Sequence, residues 1–191
     1  MPASFADPNG RMQPPDEFRT ERLRLRRIAA ADAPALFAAY ASDPEVTRYM
    51  SWRTHASPAE TREFVDGAVR SWEDGDEFIW VLVPHDHDGP IGAVGAAPGP
   101  HGVMIGYVLG RPWWRRGLMS EALRPIMEWW RQQPDVHRIW AYCAADHERS
   151  ARVLEHAGMD REALLRRWIV LPNLSERPSD ALVYAWIRPE P

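Results

Sequence analysis

Apolar and polar positions along this chain change period several times, and each change marks an expected element. Glu21-Arg22-Leu23-Arg24-Leu25-Arg26-Arg27 alternates basic and apolar residues, the pattern of a half-buried strand. Asp32 can cap a helix that carries Leu36, Phe37 and Tyr40, and Asp43-Pro44 ends it. Ser57-Pro58-Ala59-Glu60 reads as a capping box, and the helix behind it gathers Phe64, Val65, Ala68, Val69 and Trp72 on one face. Between these helices lies an aromatic segment, residues 46–52, without a clear period. Residues 78–83 and 90–97 form a hairpin around His85-Asp86-His87-Asp88-Gly89, and 103–109 adds a third strand. A helix is expected over 120–132, bent where Pro125 removes a hydrogen bond, and then a strand over 138–144. A helix over 148–156 stops at Ala157-Gly158, and strands over 162–171 and 180–187 close the chain.

This β-α-α-β-β-β-α-β-α-β-β order predicts an α/β (α+β) protein, with a central mixed sheet of about seven strands and four helices spread over both faces. Residues 1–17 carry little apolar pattern and are expected to form a mobile tail, ahead of one domain over 18–191. A net charge of −4 argues against nucleic acid as a bulk partner. No apolar run approaches the ~20 residues that span a bilayer, and the N-terminus lacks the apolar core of a signal peptide, so a cytoplasmic location is expected. One cysteine, Cys143, rules out an internal disulfide and a cysteine-based zinc site. The His85/His87 pair sits in a turn and offers too few ligands at fixed geometry, so no metal is expected.

Candidate chemistry concentrates in Trp113-Trp114-Arg115-Arg116-Gly117-Leu118-Met119-Ser120-Glu121-Ala122. It follows an apolar strand and opens an amphipathic helix. A helix start presents unpaired N–H groups and the positive end of the helix dipole, which suit phosphate oxygens. Two arginines add charge, and Gly117 lets backbone approach a ligand. The pattern points to a phosphate-bearing cofactor.

Four stretches in order carry a resemblance to the GNAT family of N-acetyltransferases, in particular its ribosomal-protein N-acetyltransferase (RimJ/RimL-like) branch. They are Thr20 to Arg26; Gly106-Tyr107-Val108-Leu109 with Trp114 to Ala122; Asp146 to Met159; and Asp180 to Ala185. The resemblance spans roughly residues 19–188. It implies a mostly antiparallel twisted sheet whose strands 103–109 and 138–144 splay apart to admit acetyl-CoA. Pantetheine would pair with backbone near Val108 and Leu109, and pyrophosphate would lie on Arg115, Arg116, Gly117, Leu118, Met119 and Ser120. The Leu109 N–H would polarise the thioester carbonyl. His147 and Ser150 would contact the cofactor, with Ser150 attending the leaving thiolate. Tyr49, Met50, Trp52 and Trp80 would line the acceptor side.

The implied activity is direct acetyl transfer to a primary amine, either a protein or peptide N-terminus or a small molecule, by a monomer or homodimer. The alternative is a CoA-binding regulatory or sensor module that has lost catalysis. Departures from the family pattern motivate that alternative. His147 stands where Asn is usual, Leu154 where relatives often carry a Tyr acid, and Met104 where many carry a Glu base. With Met104 there, no base stands out. A water chain to Glu45, Asp146 or His147 is one route, and the lack of a base favours an acceptor of low pKa.

Overall fold

The computed structural model describes residues 12–190. Eight strands form one sheet: β1 (Glu17–Arg19), β2 (Leu23–Arg27), β3 (Phe78–Pro84), β4 (Gly92–Gly99), β5 (Gly102–Leu109), β6 (Arg138–Ala144), β7 (Asp160–Leu171) and β8 (Ser175–Ile187). Their spatial order is β1-β2-β3-β4-β5-β6-β8-β7, and every neighbouring pair is antiparallel except β5 and β6. The helices are α1 (Ala33–Leu36), which runs on into a π turn (Phe37–Ala41), α2 (Pro44–Thr47), α3 (Pro58–Asp74), α4 (Leu118–Gln132) and α5 (Glu148–His156).

The apolar run of β3 is buried on both faces, as a central strand requires. Phe78, Trp80 and Leu82 point into one core with Leu123, Ile126 and Trp130 of α4. Ile79 and Val81 point into the other, with Leu36 and Val65 of the α1 and α3 side. In α3, Thr61, Val65, Ala68 and Trp72 are buried at helical spacing, and Gly75 ends the helix at φ 78°. Each fully buried leucine or isoleucine in these layers contributes about 2 kcal/mol.

Several expectations are revised. The sheet has eight strands because Glu17-Phe18-Arg19, too short to show a period, pairs with Arg24 to Arg26. Residues 1–11 of the expected tail lie outside the described residues, but residues 12–17 are tied down. The Pro15 carbonyl accepts from Trp80 Nε1 at 2.9 Å, and the Asp16 carbonyl accepts from Arg27 N–H at 2.7 Å. Asp43 does not merely end a helix; its carboxylate accepts from Glu45 N–H at 2.9 Å and caps α2, which runs into the segment left without a period. At α3 the box closes differently from the sequence pattern: Glu60 takes the Ala56 N–H at 3.2 Å and the Ser57 hydroxyl at 3.1 Å. The helical assignment of α4 runs unbroken through Pro125 and begins at Leu118 rather than Ser120.

A partly buried ion pair fixes the start of α1. Asp32 receives Arg26 Nη2 at 2.5 Å and Nη1 at 2.8 Å, and also the Ala29 N–H at 2.9 Å. Removing the buried Asp32 carboxylate leaves the Arg26 guanidinium, 28% exposed, and the Ala29 N–H without their acceptor. Asp32→Ala is therefore expected to destabilise the fold by about 3 kcal/mol, read from urea denaturation; a loss within experimental error would show that water replaces the carboxylate.

Candidate active site

The sheet is held together unevenly at its centre. β4 pairs with β5 from Gly92–Leu109 to Gly99–Gly102, and β6 pairs with β8 from Arg138–Ile187 to Ala144–Ala181. Between β5 and β6 only Val103–Ile139 and Met104–Trp140 are paired. Past Met104 the two strands diverge and leave a cleft. In an antiparallel ladder, facing pairs alternate between exchanging hydrogen bonds and exchanging none. The Gly110 N–H to Ile91 O bond, 2.8 Å, sets the phase. Tyr107 and Leu109 then fall in non-bonded pairs with Val94 and Gly92, so their peptide groups aim into the cleft. The Val108 peptide is directed at Ala93 instead, which separates two positions expected to act together.

On one side the cleft opens into a cavity of about 530 Å³. All six residues from Arg115 to Ser120 line it, as do Val108 and Leu109. Arg115 (φ 61°) and Gly117 (φ 73°) both take the left-handed conformation, which costs a side-chain-bearing residue such as Arg115 about 1 kcal/mol. The N–H groups of Leu118, Met119 and Ser120 start α4 and have no acceptor within the helix. Arg48, Arg149 and Arg152 complete a basic rim with Arg115 and Arg116. The loop is anchored from behind by Glu121. Its carboxylate accepts from Thr20 Oγ1 at 2.6 Å, Arg22 N–H at 2.8 Å and Arg22 Nε at 2.6 Å. Burial works against ionising this carboxylate, but those hydrogen bonds outweigh it and lower its pKa. The Arg22 guanidinium also donates to the Arg116 carbonyl at 2.9 Å. Trp114 Nε1 donates to the Leu109 carbonyl at 2.6 Å, and the Arg149 guanidinium stacks 5.0 Å from the Trp114 ring.

On the other side lies a second cavity, of about 370 Å³. Tyr49, Met50 and Trp52 line it, joined by Tyr40 and Phe64. The turn between β7 and β8 clamps this wall. Asn173 donates to the Thr47 carbonyl at 2.7 Å and the Trp52 carbonyl at 2.8 Å, and accepts from Thr54 N–H at 2.9 Å. Trp80 does not belong to the wall. It is 0% exposed, in the core on the α4 side, because the alternation of β3 turns it away from α3. His85 Nε2 lies 3.1 Å from the Thr20 carbonyl and the His87 ring packs on Trp113, so the two histidines of that turn face different partners.

The two cavities meet at Tyr49, Met50, Tyr107, Val108, His147 and Ser150. Tyr107 is one residue to which sequence reasoning gave no role. Its hydroxyl stands 2.8 Å from Ser150 Oγ and 3.0 Å from the Ser150 carbonyl, bridging β5 to α5 across the cleft. Burial raises the Tyr107 pKa far above its ordinary value, so the phenol keeps its proton. Burial also pushes the adjacent Cys143 thiol up to about 11, which suits a structural role. The His147 ring stacks on Tyr49 with centroids 4.2 Å apart. Burial, then the Arg149 charge, lowers the His147 pKa despite the opposing pull of Asp146.

The imidazole of His147 is therefore neutral in the folded protein at neutral pH. Its NMR titration midpoint should fall below the ordinary value of about 6.5. The unfolded chain binds this proton more readily, so stability should rise with pH across the interval between the two pKa values. His147→Gln should flatten that rise; an unchanged slope would show that another group supplies it.

Comparison with known proteins agrees with this architecture. The family described as "Acetyltransferase (GNAT) domain" matches residues 22–160. The chain is 28% identical over 175 residues to the uncharacterized N-acetyltransferase YoaA of Bacillus subtilis, covering 90% of this chain and 97% of that protein. It is 23% identical over 167 residues to the [ribosomal protein uS5]-alanine N-acetyltransferase of Escherichia coli, covering 83% and 85%. The structure of RimL, a ribosomal L7/L12 alpha-N-protein acetyltransferase in complex with coenzyme A, superposes with a TM-score of 0.79 at 22% identity, covering 88% of this chain and 95% of that one. A parted β5–β6 pair, a basic loop at the start of α4 and a family match across both place this chain in the GNAT family, as an acetyl-CoA-dependent N-acetyltransferase.

Proposed function

We propose that this enzyme transfers acetyl directly from acetyl-CoA to a primary amine, across the junction where its two cavities meet. The observation that carries the reading is that junction: a basic cavity and an aromatic cavity share Tyr107, Val108, His147 and Ser150 at the point where β5 leaves β6. The larger cavity holds the cofactor. The free N–H groups of Leu118, Met119 and Ser120, with Arg115 and Arg116, take the pyrophosphate. Pantetheine lies in the cleft against the Tyr107 and Leu109 peptide groups, with His147 beside it. The cofactor supplies an activated acyl group as a thioester. The Leu109 N–H, aimed into the cleft and already fixed by the sheet, polarises the thioester carbonyl without reorganising.

The amine enters through the smaller cavity, past Tyr49, Met50 and Trp52. It is a peptide or protein N-terminus or a small-molecule amine, and the uS5-alanine and L7/L12 acetyltransferases among the relatives support the first. Ser150 Oγ and Tyr107 OH form a hydroxyl pair that gives a proton to the departing thiolate. Leu154 does not serve here, being a fully buried leucine.

Thiol release from acetyl-CoA across peptide N-termini, amino acids, polyamines and aminoglycosides tests the reading. Turnover with one class is expected and names the acceptor. Tight acetyl-CoA binding with no turnover would instead favour a regulatory module. In the enzyme, Ser150→Ala and Tyr107→Phe should each lower kcat at least tenfold, and by no more than about a hundredfold, the lower end of what a positioned proton donor contributes. Acetyl-CoA affinity, measured by calorimetry, should change little; a matching loss of affinity would make the pair a binding element rather than an acid.

A further inference from the structure

An alkylammonium must lose a proton before its nitrogen can attack a carbonyl, because its pKa lies near ~10. Of the described residues that line the acceptor cavity, Glu77 alone carries a carboxylate. It sits just before β3, and its N–H is held by the Ser71 carbonyl at the end of α3, at 3.3 Å. The side chain lies over β4 at Gly95, where a Cβ would stand 3.1 Å from Glu77 Oε1. The residue facing Gly95 on β5 is Gly106, where a Cβ would meet nothing within 4 Å. Two glycines thus leave a trough running from the Glu77 carboxylate across β4 to β5, the strand that borders the cleft. Among the described residues this carboxylate has no hydrogen-bond or ion-pair partner. Glu77 also lines an outer groove with Trp52, Arg53, His55, Glu60 and Glu63, so a proton taken from the inner cavity has a path to solvent.

We propose that Glu77 is the general base of this enzyme, accepting a proton from the acceptor's ammonium group across the Gly95–Gly106 trough. This rests on the acetyl-transfer reading of the same site. Glu77 removes one proton from the ammonium and passes it to solvent through the outer groove. The neutral amine then forms a C–N bond to the thioester carbon, the C–S bond breaks, and the second nitrogen proton reaches the thiolate through Tyr107 and Ser150. Nothing is oxidised or reduced. Burial raises the pKa of Glu77, which makes its carboxylate a stronger base.

Other titratable groups share these spaces. In the groove they are Arg53, His55, Glu60 and Glu63; deeper in the cavity they are Tyr40, Tyr49, Tyr107, Tyr142, Cys143 and His147. His55 is the nearest rival, but its Nδ1 is engaged by Thr61 Oγ1 at 2.7 Å, and burial lowers its pKa. With a base in place, the expectation of a low-pKa acceptor no longer follows from Met104.

Two probe amines separate a base from a mere charge. Benzylamine is a cation at neutral pH and needs deprotonation, whereas hydroxylamine is already neutral. In full-length protein, Glu77→Gln should lower kcat/KM for benzylamine about a hundredfold while leaving hydroxylamine nearly unchanged. Glu63→Gln, which removes the same charge from the outer groove, should leave the ratio of the two rates as it is. Calorimetric acetyl-CoA affinity reports that each variant is folded. Should Glu77→Gln not fold, Glu77→Asp takes its place, with the same selective fall in smaller measure. An equal fall for both amines, no fall for either, or a shifted ratio in Glu63→Gln overturns the assignment. If the wild type acetylates neither probe, a cationic amine of the class found by the thiol-release panel replaces benzylamine and an analogue of it that is neutral at the assay pH replaces hydroxylamine; silence across that panel overturns the transfer reading, and the inference with it.

Discussion

The site depends on two parallel strands that cannot stay paired. β5 is committed along its whole length to β4, and β6 along its whole length to β8. Each strand follows the twist of its outer partner, and two residue pairs are all that survive between them. Peptide groups that would have bonded across the sheet are left facing the cleft. An unpaired backbone donor in a half-buried place is costly unless something fills it, so the parting creates a binding requirement as well as a space. Tyr107 and Ser150 bridge the parted edge, and the same bridge is the pair proposed above as the acid.

Around that cleft, rigidity comes from residues distant in sequence. Glu121 ties the start of α4 to the β1–β2 turn, through Thr20 and Arg22. The loop ahead of α4 can then hold Arg115 in a costly left-handed conformation, because both of its ends are fixed. On the side of the aromatic cavity, Asn173 reaches from the β7–β8 turn to three backbone groups between Thr47 and Thr54. An irregular aromatic segment, which has no lattice of its own hydrogen bonds, becomes a wall. In both places a polar side chain satisfies backbone groups that no helix or strand could.

Legibility in the sequence followed the range of the forces involved. β3, α3, α4 and α5 were readable because their apolar period survives in any context. β1 was not, since three residues show no period and its existence depends on β2 being there to pair with. Trp80 was read as part of the acceptor wall from its aromatic character, yet strand alternation turned it into the opposite core. Glu77 drew no attention, as one acidic residue among many in a turn. What distinguishes it is a pair of glycines on two other strands and, among the described residues, the absence of a partner for its charge.

The sequence by itself determined the order and type of the main elements, the basic loop that opens α4 and, through four stretches in order, the family. Those features are local: periods, caps and a loop composition that any copy of the segment would carry. Tertiary structure alone decided where β5 and β6 part, which peptide groups face the cleft, and that Tyr107 meets Ser150. It also turned Trp80 inward and, among the described residues, left Glu77 unpartnered over Gly95. These are outcomes of register and side-chain direction across strands far apart in the chain, set by which neighbour each backbone group finds, and no local pattern encodes them.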